Sequence, residues 1–142
     1  MVVPTRATEP GSVRLSLVIP TYNEASNVVP LISALEALLE PELGAAYELI
    51  IVDDNSPDGT AGIVEALLET HPRVRLMKRT TERGLSTAVI RGWQAARGEV
   101  LGVMDADLQH PVEPNLRLLE EITRGASRLH VSAAFDGMEI AL

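Results

Sequence analysis

The sequence contains no cysteine, so it offers neither a disulfide framework nor a thiolate metal site, and the reducing cytoplasm is its default compartment. Aromatic residues are scarce: one Trp, two Tyr and one Phe. Basic residues are outnumbered, 12 against 20 acidic, which gives a formal net charge of -8. Such a surface repels a phosphate backbone and speaks against nucleic acid as a partner. An anionic small ligand would need a bound cation or a few well-placed arginines to hold it. Nowhere do roughly 18 apolar residues run together, so no stretch reads as a membrane span, and residues 1–13 have no apolar segment of signal-peptide length. Both glycine-rich phosphate signatures, G-x-x-x-x-G-K-[ST] and G-x-G-x-x-G, are missing as well, so binding of a diphosphate would have to rely on metal.

What is present is a composition able to fold. Hydrophobic residues make up 46% and charged residues 23% of 142 residues, which suits one domain with one sizeable core. Residues 1–14 mix Pro4, Pro10 and Gly11 with polar residues and read as a flexible lead-in. The folded domain is expected over 15–125, followed by an atypical tail over 126–142. Four short apolar runs, Leu15 to Ile19, Leu49 to Val52, Val74 to Met77 and Val100 to Met104, alternate with segments of helical period.

In the first of these segments Val28, Leu31, Ile32, Leu35, Leu38 and Leu39 form an apolar stripe, with Ser26 or Asn27 as the cap and Pro30 inside the first turn. In the second, Ile63, Val64, Leu67 and Leu68 follow Asp58 or Thr60. Leu85, Ala88, Val89 and the run from Gly92 to Ala96 define the third. Leu116, Leu118, Leu119 and Ile122 define the fourth, behind Pro114. Gly98 and Gly125 stand where helix ends favour a left-handed residue. Apolar strands joined by helical crossovers predict an α/β fold, a mostly parallel sheet with helices on both faces. Sheets of this kind bind ligands beyond the carboxyl ends of their strands.

Three polar clusters follow strand ends: Pro20 to Glu24, Asp53 to Gly59, and Asp105 to His110. If the last strand continues through Asp105 and Asp107, both carboxylates leave one face of the sheet and can share a cation, with Gln109 adding an oxygen. An all-oxygen donor set selects Mg²⁺ or Mn²⁺. Acidic residues after a strand also serve as turn formers and caps, and a lone Asp-x-Asp does not separate the two roles. Tyr22 lies in a polar loop, as a binding platform or as a half-packed surface ring. Asp53 and Asp54 are candidates to hydrogen-bond a base or ribose, or to cap the loop after them. Asp58 belongs to turn chemistry. Lys78 and Arg79 are where an anion could be steadied. His110, before Pro111, is a candidate base or ligand but reads more readily as a loop residue, and His71 and His130 have no recognisable partner.

The segments VIPTYNE, VDDNSPDGT, RGLSTAVIRGW and VMDADLQHP, in this order between Leu15 and Arg124, resemble the N-terminal half of family 2 glycosyltransferases with the GT-A fold. The form VDDNSPDGT is similar to that of the dolichyl-phosphate (polyprenyl-phosphate) mannosyltransferases. The resemblance implies that Pro20, Tyr22, Glu24, Val52 and Asp54 contact the nucleoside of the donor, with Asp53 and Ala106 nearby. It implies that Asp105, Asp107 and Gln109 hold the divalent metal, the two aspartates being the catalytic pair. Arg83, Gly84 and Leu85 would shape the loop beside the diphosphate. The implied reaction is transfer of a hexose, mannose from GDP-mannose or glucose from UDP-glucose, to a polyprenyl or dolichyl phosphate with inversion. It would take place in the cytoplasm or at the cytoplasmic face of a membrane.

After Gly125 the pattern departs from the resemblance, and the acceptor-side arginines are not found. The chain therefore reads as a truncated or frame-shifted product that retains mainly the donor half, with an inactive nucleotide-sugar-binding fragment as the alternative. Missing sheet cover would leave Leu101, Val103 and Ile122 open. A receiver-type signalling domain is a remote alternative, in which an Asp pair should follow the first strand. Three polar strand ends around one cleft predict the sheet order 3-2-1-4.

Overall fold

In this computed structural model the described residues are 12–104 and 106, with the backbone of 131–132 and 139–140. The fourth helix, Asp105, Asp107, Gln109, His110, Ile122, Gly125 and His130 lie outside them. Four parallel strands, β1 (Leu15–Thr21), β2 (Tyr47–Asp53), β3 (Val74–Lys78) and β4 (Val100–Val103), form one sheet in the order β3-β2-β1-β4. Helices α1 (Val28–Leu43), α2 (Thr60–Leu67) and α3 (Leu85–Ala95) make the crossovers. The expected order is the one found. It differs from the receiver-type arrangement, in which the first strand lies beside the third; here the neighbours of β1 are β2 and β4.

Alternation along the strands divides the core between two faces. Leu15, Leu17 and Ile19 of β1, with Tyr47, Leu49 and Ile51 of β2, pack under Val28, Leu31, Ile32, Leu35 and Leu39 of α1 and Val64 of α2. Val18, Ile50 and Val52 point the other way, onto Ala88 and Trp93 of α3. β1 and β2 are buried on both sides, as parallel strands under helices must be. β3 is an edge strand, and from Arg75 onward its residues are only partly buried or exposed.

Several local expectations are corrected. α1 runs past Leu39 and through Pro41 to Leu43, ending at Gly44, whose φ of 57° is left-handed. Pro41 has no N–H to donate, so the helical hydrogen bond to the Ala37 carbonyl is absent in this last part of α1. Asn27 occupies the cap position but makes no capping hydrogen bond; its side-chain amide donates to Glu24 instead. Gly98 is not left-handed; a Cβ there would stand 2.6 Å from the backbone nitrogen of Ser16, so close approach is what requires glycine. His71 does have a partner: its Nδ1 lies 2.8 Å from Glu36 of α1. Leu101 and Val103 are buried, not open. The strand expected near His130 to Ala134 is present as β5 (Val131–Ser132), paired antiparallel with β6 (Glu139–Ile140) in a separate two-stranded sheet.

Candidate donor-binding site

At the carboxyl edge of the sheet lies a cavity of 390 Å³ lined by Pro20, Thr21, Tyr22, Glu24, Asp54, Arg83, Gly84, Leu85 and Ala88. Seven of these, all but Thr21 and Ala88, were singled out from the sequence. The missed pair carries little signal on its own: Thr21 is the last residue of β1, and Ala88 is an inward residue of α3. Its volume falls in the range of small-molecule sites.

The wall formed by Pro20 to Glu24 is held by side chains of the β2–α2 loop. Ser56 Oγ accepts from the N–H of Asn23 at 2.9 Å, Thr60 Oγ1 from Glu24 at 3.1 Å, and Asp58 from Ala25 at 3.0 Å. Three successive amides that no helix or sheet satisfies are thereby satisfied. Asn23 and Asn55, with φ of 56° and 54°, take the left-handed turns that bring the two loops together. Hydrogen bonds from Thr60 and from the amides of Ala25 and Thr60 hold the Asp58 carboxyl below its usual range, the Thr60 contribution being the largest. Asp58 is thus structural, as its turn context suggested.

Asp53 is fully buried. Its carboxylate accepts from Thr21 Oγ1 at 2.7 Å and from the Ser56 hydroxyl and amide at 2.6 and 2.9 Å, so it anchors its own loop and does not face the cavity. Val52 and Ala106 are likewise fully buried, with their side chains in the core. Of the two adjacent aspartates, Asp54 is the one that reaches the cavity.

Asp54 and Arg79 meet in a two-pronged ion pair, Nε to Oδ1 at 2.6 Å and Nη2 to Oδ2 at 2.7 Å. The same guanidinium donates to Thr87 Oγ1 at 2.8 Å and to the Gly84 carbonyl at 2.9 Å, while the Gly84 N–H donates back to Asp54 at 3.2 Å. The expectation that Lys78 and Arg79 steady an anion is therefore corrected. Arg79 is spent on Asp54, and Lys78 lies 3.5 Å from Glu65 of α2. Positive charge reaches the cavity from Arg83, whose guanidinium stands 6.0 Å from the centre of the Tyr22 ring. Tyr22 and Leu85 are half-exposed, an apolar pair presented to the opening.

The Met104 N–H donates to the Val18 carbonyl at 2.9 Å, so the chain leaves β4 at the edge that carries Pro20 to Tyr22. The implied metal ligands Asp105, Asp107 and Gln109 lie outside the described residues, and those residues contain no cluster of three His, Cys, Asp or Glu able to hold a metal. No helix among them is long and apolar enough to cross a membrane.

A family model described as glycosyl transferase family 2 matches residues 16–136. The chain is similar to a dolichol-phosphate mannosyltransferase of Saccharomyces cerevisiae, 46% identical over 111 residues that make up 78% of this chain and 42% of that protein. A dolichol-phosphate mannosyltransferase of Pyrococcus furiosus is 46% identical over 113 residues, 80% of this chain and 31% of that one. Among solved structures, a mannosyltransferase from Pyrobaculum calidifontis in complex with GDP-Man and Mn²⁺ superposes with a TM-score of 0.61 at 29% identity, over 84% of this chain and 34% of that one. The chain thus spans less than half the length of these relatives.

Proposed function

Because this chain belongs to glycosyl transferase family 2, we propose that it forms the donor-binding part of an enzyme that transfers mannose from GDP-mannose to a polyprenyl or dolichyl phosphate. The observation that carries this reading is the single cavity wall shared by Pro20, Tyr22, Glu24, Asp54, Arg83, Gly84 and Leu85. It joins an aromatic face, a carboxylate acceptor and a cation, the elements that a nucleoside diphosphate requires: stacking for the base, an acceptor for base or ribose donors, and positive charge for phosphate. Likeness to two dolichol-phosphate mannosyltransferases and to a mannosyltransferase bound to GDP-Man favours mannose over glucose as the sugar. UDP-glucose is the competing donor.

Asp105, Asp107 and Gln109 would hold Mg²⁺ or Mn²⁺ against the diphosphate; their oxygens suit a hard cation, and β4 delivers the chain to the cavity edge just before them. Such an ion supplies Lewis-acid stabilisation of the leaving diphosphate. The residues around the cavity bind and orient: Tyr22 offers a face to the base, Asp54 accepts from it, and Arg83 faces the phosphates. A phosphate acceptor is already anionic at neutral pH and needs no general base, which is consistent with a site whose carboxylates are committed to binding and positioning. A lipid-linked acceptor would place transfer at a membrane surface, and the cytoplasmic face is the side proposed for it.

Incubation of the purified chain with radiolabelled GDP-mannose, Mn²⁺ and polyprenyl phosphate tests the proposal. Label in the lipid extract supports transfer by this chain. Donor retained on the protein without lipid product restricts it to donor binding, and retention of neither GDP-mannose nor UDP-glucose overturns the reading.

A further inference from the structure

We propose that Arg79 is a positioning residue of the donor site, acting on the nucleotide through Asp54 and the Gly84 turn; the inference rests on the donor-binding reading given above. Arg79 is 6% exposed and does not line the cavity, so it cannot be a principal ligand contact. Its guanidinium nevertheless touches each element that shapes one side of the cavity. Two nitrogens hold both carboxylate oxygens of Asp54 at the end of β2. One of these, Nη2, also reaches the Gly84 carbonyl, and Nη1 reaches Thr87 in the first turn of α3. Its own backbone N–H is tied to the Asp53 carbonyl at 2.8 Å, which fixes the base of the side chain.

Geometry and charge together give this arrangement its purpose. A carboxylate poised to accept from a ligand must be kept ionised and in one rotamer, and a fork-shaped cation does both. Gly84 has a φ of 110°, a conformation that L side chains rarely adopt. Both its polar groups are used, the carbonyl by Arg79 and the N–H by Asp54, so the turn is closed onto the carboxylate. Arg83 and Leu85 flank that turn and line the cavity. Arg79 thereby sets the distance between the acceptor on β2 and the cation and apolar group that precede α3. A lysine could hold Asp54 at one point but could not reach Gly84 and Thr87 at the same time.

The test compares Arg79→Met, Arg79→Lys and Arg75→Met in the full chain, each with and without Asp54→Asn. Arg75 is also paired with a buried carboxylate, Glu48 at 2.8 Å, but at the opposite end of the sheet, so its loss controls for general destabilisation. Two quantities are read: calorimetric affinity for GDP with Mn²⁺, and amide hydrogen exchange at Gly84 and Leu85. Arg79→Met should weaken GDP binding by about tenfold or more and accelerate exchange at Gly84. Arg79→Lys should fall between it and the parent, and it keeps the comparison open if Arg79→Met does not fold. Arg75→Met should change neither quantity. In the Asp54→Asn background, removal of Arg79 should cost less affinity than it does in the parent, because one of the two groups it acts through has lost its charge, while exchange at Gly84 should still accelerate, because the contacts to Gly84 and Thr87 are lost with Arg79. Parental affinity and parental exchange in both Arg79 variants would overturn the proposal. So would an undiminished loss of affinity in the Asp54→Asn background together with parental exchange at Gly84, which would mean that Arg79 meets the nucleotide directly. If the parent chain binds neither GDP nor UDP, the donor reading fails, and exchange at Gly84 alone decides whether Arg79 holds the turn.

Discussion

Ser16 and Glu48 stand 2.6 Å apart where β1 and β2 begin, the hydroxyl donating to a carboxylate that is only 1% exposed. The same carboxylate accepts from the Arg97 amide at 2.7 Å and from Arg75 at 2.8 Å, and Ser16 Oγ accepts from the Gly98 amide at 2.8 Å. This knot fastens the segment after α3 to the sheet, at the end opposite the cavity. Burial alone would raise the Glu48 carboxyl; hydrogen bonds from Ser16, Arg97 and Arg75 outweigh it and hold the group below the usual Glu range. A depressed folded value stabilises the fold above the unfolded value of about 4.3, and that contribution is lost as the pH falls further. Glu48→Gln should therefore cost about 1–3 kcal/mol at neutral pH. Denaturant melts at several pH values should show the gap between parent and variant closing below about pH 4.3.

Gly98→Ala should destabilise the chain by about 1–3 kcal/mol, the usual cost of overpacking. The added methyl meets backbone and hydroxyl of Ser16 at 2.6 and 2.7 Å, and neither can swing away without breaking the knot. Gly92→Ala should also destabilise, since its Cβ would stand 2.5 Å from Val18 Cγ1, a branched side chain packed between α3 and β1. Thermal unfolding of both variants checks this.

Tyr22→Ala should weaken GDP binding by roughly tenfold, within the range of about 1–3 kcal/mol that an aromatic face contributes per stacked base. Tyr22→Phe should stay near the parent, because the proposed role uses the ring and not the hydroxyl. Tyr22 is 49% exposed, so neither change should move the melting temperature appreciably. Fluorescence or calorimetric titration separates the two variants.

The frame was legible in the sequence because it rests on periodicity. Runs such as Leu49 to Val52 read as buried strands, the stripe from Val28 to Leu39 reads as a helix, and the polar strand ends Pro20 to Glu24 and Asp53 to Gly59 pointed to one edge of the sheet. Seven cavity-lining residues were named through the polar strand ends and the motif resemblance together, Arg83, Gly84 and Leu85 through the resemblance alone. What stayed hidden were pairings between residues distant in sequence. Arg79 to Asp54, Glu48 to Arg97, His71 to Glu36 and Asp58 to Ala25 each join segments whose approach depends on the fold, and no local pattern records the partner. The two adjacent aspartates show the same limit. Strand alternation sends them to different surroundings, but which of them is buried depends on the sheet's two faces, and the structure gives the buried place to Asp53. Gly98 was read as a helix-end residue because glycine after a helix usually is one; its actual constraint is a neighbour 82 residues earlier.

The most direct test of the central claim, donor binding through a divalent cation, is calorimetric titration of GDP-mannose into the purified chain with Mn²⁺, repeated in excess chelator and with Asp105→Ala and Asp107→Ala. Without the cation, the diphosphate would meet these carboxylates as like charges in a chain already carrying a net charge of -8. The account predicts saturable binding with Mn²⁺ that weakens on chelation and in both variants, and a weaker response to UDP-glucose. Equal affinity for GDP-mannose with and without chelator, unchanged by either substitution, would contradict it.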